Sequence, residues 1–210
     1  MSEASVLPPF LRLERAGTCV VLDLREGTAR LLHLGAPLPP DEDLGALAVA
    51  GARGRHENQP DQPPVECLVP GTSTGGEATP AVWCLREGRE FPARLQLTAV
   101  ATDGPGCILT FDDASAGLRF EWCWSLAESG VLQSHSRLTN LAPEPLTVLR
   151  AASLAMPVPP RFEEITLFSG RWAAEMQPQR RVWQRGQQLL RSQGGRPGFS
   201  GGQWVLLAAA

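Results

Sequence analysis

The nine residues Leu-Arg-Phe-Glu-Trp-Cys-Trp-Ser-Leu, positions 118 to 126, carry a large apolar side chain at every second position. A period of two sends Leu118, Phe120, Trp122, Trp124 and Leu126 to one face of a strand, and Arg119, Glu121, Cys123 and Ser125 to the other. A helix would scatter the same rings around its circumference, so the segment is a β-strand with one apolar face. The simpler reading of that face is core, because burying one large aromatic side chain contributes about 2–3 kcal/mol. A platform for stacking sugars is the other reading. Either way, the strand needs neighbours of the same kind.

The chain supplies them. Arg94-Leu95-Gln96-Leu97-Thr98-Ala99 alternates, with Leu95, Leu97 and Ala99 on one face. Asp103-Gly104-Pro105-Gly106 turns, and Cys107–Phe111 returns. Asp112-Asp113 precedes Ala114-Ser115 and reads as solvated turn chemistry, not as a catalytic pair. Val131–Asn140, Leu146–Met156 and Phe162–Phe168 continue the series of strands. Earlier, Cys19–Leu24 and Ala29–Leu34 flank Arg25-Glu26-Gly27-Thr28 as a β-hairpin, with His33 as a packed or edge residue of its second strand. Asp41–Ala50 reads as a short helix capped by Asp41. Gly51–Pro64 and Pro70–Pro80 read as loops, and Val182-Trp183, Gln188–Arg191 and Trp204–Leu207 as the last strands. Short strands at intervals of about 10–15 residues, Gly and Pro turns and almost no helical period predict an all-β fold of two packed, mostly antiparallel sheets. The chain stops in the apolar run Trp204–Ala210, which predicts a domain truncated at its C-terminus with an apolar strand edge exposed.

Composition narrows the function. At 210 residues the chain makes one large domain or two small ones. A net charge of −3 leaves no basic excess for phosphates, so no nucleic-acid partner is expected. Every basic residue is arginine, which excludes a Schiff base or a Walker-type phosphate loop within these residues. The cysteines, Cys19, Cys67, Cys84, Cys107 and Cys123, are odd in number, widely spaced and set among apolar residues. They read as reduced, buried thiols of a cytoplasmic protein; no Cys-x-x-Cys pair marks a metal site, and no cofactor is expected. The N-terminus has no signal-peptide pattern, and no apolar run approaches the ~20 residues that span a bilayer, so no membrane partner is expected.

The candidate site is Phe168–Glu175, Phe-Ser-Gly-Arg-Trp-Ala-Ala-Glu. Ser169-Gly170 breaks the strand before it, and Arg171, Trp172 and Glu175 follow. A ring with charged groups beside it, on a loop at a sheet's end, holds a sugar: the ring covers the C–H face and the charged groups bond the hydroxyls. The alternative is scaffold, with Trp172 capping a core and Arg171 paired with Glu175 at the surface.

Several motifs recur in a known order. Leu32-His33-Leu34-Gly35-Ala36-Pro37-Leu38 stands where a family has a strand ending in Trp-Gly-Lys. Val69-Pro70-Gly71 to Pro80-Ala81 is similar to its Tyr-Pro…Gly-x-x-Asp-Phe-Arg-x-Pro-Ala loop. Ser136–Asn140, then Pro145-Leu146 and Leu149–Leu154, is similar to its Arg-x-x-x-x-Asn…Leu-x-Leu-x-Arg-Ala-x-Ser segment. Ser169–Glu175 is similar to its Gly-x-Trp-x-Arg-Glu, and Ser192–Gly195 with Ser200 stands at its Ser-Arg-Arg-Gly-x-Ser-Ser-His. The chain thus resembles, over essentially its whole length, the N-terminal β-sandwich domain of glycoside hydrolase family 36, the bacterial α-galactosidases or melibiases.

The resemblance implies a β-supersandwich over residues 1–210, followed in the complete enzyme by a (β/α)₈ barrel and a C-terminal β-domain. Both catalytic aspartates belong to the barrel, the nucleophile within Lys-x-Asp, and a retaining mechanism sets two carboxyl groups about 5–5.5 Å apart. This chain has no lysine and no barrel, so the resemblance gives it no catalytic residue. It implies a non-catalytic accessory domain that shapes the galactoside site and aids subunit assembly, since family members form tetramers. Its partners are then α-galactosides, met through a barrel encoded elsewhere, and further copies of itself. Trp172 is the implied sugar contact, with Arg171 and Glu175 beside it. The chain departs from the family at Ala174, where the motif has Arg, at Gly76-Glu77-Ala78, where it has Asp-Phe-Arg, and within Gly51–Gln59, which holds no Asp. The final His of the Ser-rich motif is also replaced. A free-standing carbohydrate-binding or assembly module that has lost its enzyme is the alternative. A hydrolase built on Glu163 and Glu164 fails, because adjacent strand residues face opposite ways.

Overall fold

A computed structural model describes residues 7–52, 67–69, 79–159, 161–171, 173–183 and 204–209. Those residues are mostly β-strand, with every strand pairing antiparallel. The chain divides into two compact units, Met1–Pro157 and Val158–Ala210.

The first unit opens with β1 (Phe10–Arg15), β2 (Thr18–Asp23) and β3 (Arg30–Gly35), paired in that order. Ala16 and Gly17, both at positive φ, make the tight β1–β2 turn. The expected β2–β3 hairpin is present, and every residue from Cys19 to Asp23 is buried. His33 is an edge residue whose Nε2 contacts the Ala36 carbonyl at 2.8 Å. The helix α1 (Leu44–Ala50) forms, but its cap is Asp43 and not Asp41. The Asp43 carboxylate accepts the Ala46 N–H at 3.0 Å, a reach Asp41 lacks from two residues upstream.

β4 (Val82–Arg86) and β5 (Arg89–Glu90) lead to a four-stranded meander of β6 (Gln96–Asp103), β7 (Gly106–Asp113), β8 (Leu118–Leu126) and β9 (Leu132–Asn140). β10 (Leu146–Ala151) then pairs with β4; it ends five residues short of the expected Met156. The alternating face of β8 is core: Leu118, Phe120, Trp122, Trp124 and Leu126 are at most 2% exposed. Trp122 and Trp124 meet edge to face at 4.9 Å between ring centroids. The Trp122 indole N–H donates to the Ser134 hydroxyl and the Ser153 carbonyl, so a buried polar group is satisfied. Rings this enclosed stack on no sugar, which closes the platform reading of that face.

Two expectations in the meander need correction. Ala99 is exposed, because the β6–β7 register slips between Leu97 and Ala99 and turns the alternation over, leaving Val100 against the core. Asp112 and Asp113 end β7 instead of lying in a solvated turn, and Asp113 is buried. The five cysteines are all free thiols; Cys19, Cys84 and Cys107 are buried, Cys67 and Cys123 half-buried.

The second unit holds β11 (Phe162–Arg171) between β12 (Ala174–Val182) and β13 (Val205–Ala209). The strand expected to stop before Ser169-Gly170 runs through them to Arg171, absorbing a bulge between Ser169 and Arg171. β12 covers Ala174–Val182, where the sequence reading names no strand before Val182. The expected final strand is present as β13, paired with β11 from Val205↔Leu167 to Ala209↔Phe162. Gln188–Arg191, the Ser192–Gly202 motif and nearly all of the two long loops lie outside the described residues.

Candidate functional site

The stretch Phe168–Glu175 lies at the tip of the β11–β12 hairpin. Arg171 pairs with Ala174, so the strands are joined by two residues, Trp172 and Ala173. Trp172 itself lies outside the described residues.

Gly170 lets this tip close. A Cβ there would lie 2.8 Å from the Glu175 Cα and against the Ala174 carbonyl oxygen, so no side chain fits between the strands. Ala173 (φ 61°) and Met176 (φ 56°) are left-handed, a conformation that costs an L-residue roughly 1–2 kcal/mol. Local hydrogen bonds hold it. The Ala173 N–H donates to Glu175 Oε1 at 3.0 Å, the Gln177 amide donates to the Glu175 carbonyl at 3.2 Å, and the Gln179 amide donates to the Ser169 hydroxyl at 2.6 Å.

Arg171 and Glu175 are both exposed, one on each strand of the hairpin. Among the described residues no ion pair joins them; the Glu175 carboxylate turns back to the Ala173 amide. The surface pair that the sequence left open does not form, and the Arg171 guanidinium is presented outward. The tip's chemistry is therefore a cation, a carboxylate with one oxygen engaged, and whatever the connecting residues add. Sequence reading missed β12, Gly170's close approach and the left-handed alanine. Only the Ser-Gly pair hinted at them.

Clefts occur among the described residues of the first unit. One, of about 440 Å³, lies between β2–β3 and α1, against Asp23, Arg25, Arg30 and Leu47. Its charges are largely paired with one another, although Arg30 Nε is buried without a hydrogen-bond partner among the described residues. The Arg25 backbone and guanidinium give Asp23 three hydrogen bonds of 2.8–3.0 Å, and Arg30 pairs with Glu26 at 2.8 Å. Another, of about 450 Å³, is an open surface with Arg86, Arg89, Glu90, Phe91 and Arg94. Arg86 there lies 5.4 Å over the Phe91 ring and donates to the Ala116 carbonyl and the Asn140 side chain. Burial pushes the Cys107 thiol up to about 11 and also raises Cys84 and Cys123, so these are poor nucleophiles near neutral pH. No three His, Cys, Asp or Glu side chains among the described residues come together as metal ligands. No helix among them is long and apolar enough to cross a membrane.

Residues 27–210 match the glycosyl hydrolase family 36 N-terminal domain. A segment of 72 residues, 34% of the chain, is 40% identical to an α-galactosidase of Escherichia coli and covers 10% of it. Among solved structures, 95% of the chain superposes on a doubly substituted form of the family 36 α-galactosidase AgaA from Geobacillus stearothermophilus in complex with raffinose. The TM-score is 0.77 at 20% identity. Another doubly substituted form of that enzyme, in complex with stachyose, gives a TM-score of 0.77 at 19% identity over the same share. The chain spans 32% of the length of each.

Proposed function

The chain belongs to glycosyl hydrolase family 36 through its N-terminal domain, and from that membership we propose that it is the non-catalytic accessory domain of an α-galactosidase-like enzyme. It shapes the galactoside site of a catalytic barrel and takes part in subunit assembly. One observation carries the reading: the family's N-terminal domain accounts for residues 27–210, and so for nearly the whole chain. That structural neighbours are solved with raffinose and stachyose supports α-galactosides as the substrate class. Arg171, Trp172 and Glu175 are the residues assigned to the sugar, Trp172 by stacking and its neighbours by bonding hydroxyls. The free thiols fit a cytoplasmic protein.

The chain alone is expected to leave aryl α-galactosides untouched. Turnover that a carboxylate substitution in this chain abolishes overturns the accessory role. Mixed with a family 36 catalytic barrel lacking its own N-terminal domain, the chain is expected to raise galactoside affinity, and Trp172→Ala to reverse the gain. Equal affinity with the wild type and the variant refutes the assignment of the sugar to this tip.

A further inference from the structure

A surface carboxylate is best solvated pointing outward, yet Glu175 folds back on its own hairpin. Its Oε1 accepts the N–H of Ala173, two residues earlier, at 3.0 Å. Ala173 is in the left-handed region with no glycine to relieve it, and Met176, just past Glu175, is left-handed too. On the opposite strand Gly170 has no room for a Cβ against Ala174 and Glu175, so the two backbones are in direct contact below the turn. The register skips one residue there and resumes at Arg171↔Ala174. These features act on the same few bonds. The glycine lets the strands approach, the approach fixes Ala174 and Glu175, and the carboxylate then holds the Ala173 amide in a direction that the residue would otherwise abandon.

We propose that Glu175 is a positioning residue for the sugar-facing tip. Its Oε1 clamps the Ala173 amide and holds Ala173 in one left-handed conformation at the end of the connection, where the chain turns into β12. Among the described residues no other donor engages the carboxylate, which leaves Oε2 to accept a sugar hydroxyl. The sugar-facing part rests on the proposed function; the clamp rests on the hairpin geometry alone.

Amide exchange measured by NMR on the full chain tests the clamp. Ala173 is expected to exchange about tenfold faster in Glu175→Ala than in the wild type, the equivalent of losing one hydrogen bond. Glu175→Gln keeps the acceptor oxygen and is expected to restore slow exchange, a rescue that negative charge alone would not produce. Unchanged amide signals from Ile165, Thr166 and Leu167 of β11 certify that the hairpin sheet is folded in each variant. Equal Ala173 exchange in the wild type and Glu175→Ala overturns the proposal, as does fast exchange in Glu175→Gln. If the exchange order holds while Trp172→Ala leaves galactoside affinity unchanged in the barrel assay, the clamp stands and the sugar assignment falls.

Discussion

Asp113 ends β7 with its carboxylate turned inward, accepting the Arg94 N–H at 2.6 Å, the Ser115 hydroxyl at 2.7 Å and the Ala116 N–H at 2.9 Å. It joins the segment before β6 to the β7–β8 turn. Asp113→Asn keeps one acceptor oxygen and presents an NH₂ to a donor, so it is expected to cost about 1–3 kcal/mol in urea denaturation. A change within about 0.5 kcal/mol, the usual surface effect, means the carboxylate is dispensable. Burial would raise its pKa, but the Ser115 hydroxyl and the Arg94 and Ala116 amides outweigh it and hold the group below the usual carboxylate range. Asp23 behaves alike, its burial outweighed by Arg25, and Asp112 is lowered chiefly by Arg119 at 2.8 Å. A depressed folded pKa means the unfolded chain takes up protons first, near pH 4. The stability from these aspartates is present above that pH and lost as pH falls through their folded values. The urea midpoint is therefore expected to drop between pH 5 and pH 3, and to drop less in Asp113→Asn. Equal acid sensitivity in the two proteins removes Asp113 from the account. Nothing in Asp-Asp-Ala-Ser marks one carboxylate as buried, since the same four residues suit a solvated turn. The cap expected at Asp41 lies at Asp43 for a related reason: an aspartate at either position suits a helix start, and only the backbone path selects Asp43.

At the scale of elements, legibility follows burial. β8 was legible because five enclosed side chains impose a strict period, and Trp122→Ala is expected to cost about 3–5 kcal/mol in chemical denaturation. A neutral result would show that face to be loosely packed. β12, Ala-Glu-Met-Gln-Pro-Gln-Arg-Arg-Val, was not legible because none of its residues is buried, and a strand without a buried face carries no period. That hid the hairpin, and with it the geometry of the candidate site, although Arg171, Trp172 and Glu175 themselves stood out by residue type. The outer strands of this sheet also differ in protection. β12 carries Pro178, Arg180 and Arg181, which discourage further pairing. β13 is wholly apolar, and Trp204, Val205 and Leu206 are 66%, 45% and 54% exposed. The isolated chain is thus expected to self-associate, and Leu206→Lys to reduce it, as read by light scattering across concentration. A wild-type chain that stays monomeric when concentrated shows that β13 is not the adhesive edge.

At the scale of the whole molecule the apolar core is unevenly shared. The main buried cluster runs from Leu11 to Leu126, with Leu132, Leu138, Leu146 and Ala152 packed against it, all within Met1–Pro157. In Val158–Ala210, Ile165, Thr166 and Leu167 are the buried residues among those described. A three-stranded sheet with so little enclosed surface is marginal by itself, whereas the first unit has the enclosed aromatic core of an independent domain. It follows that the candidate sugar tip sits in the less self-sufficient unit, where local devices (Gly170 and the Ala173–Glu175 bond) must fix its shape. A chain of residues 1–157 is expected to unfold in urea as one cooperative transition, with near-ultraviolet circular dichroism from the Trp122–Trp124 pair retained, while residues 158–210 alone give no transition. The converse outcome, a cooperative 158–210 fragment beside a 1–157 chain lacking fixed aromatic signals, would place the stabilising core in the hairpin sheet and make the tip rigid without help from its clamp.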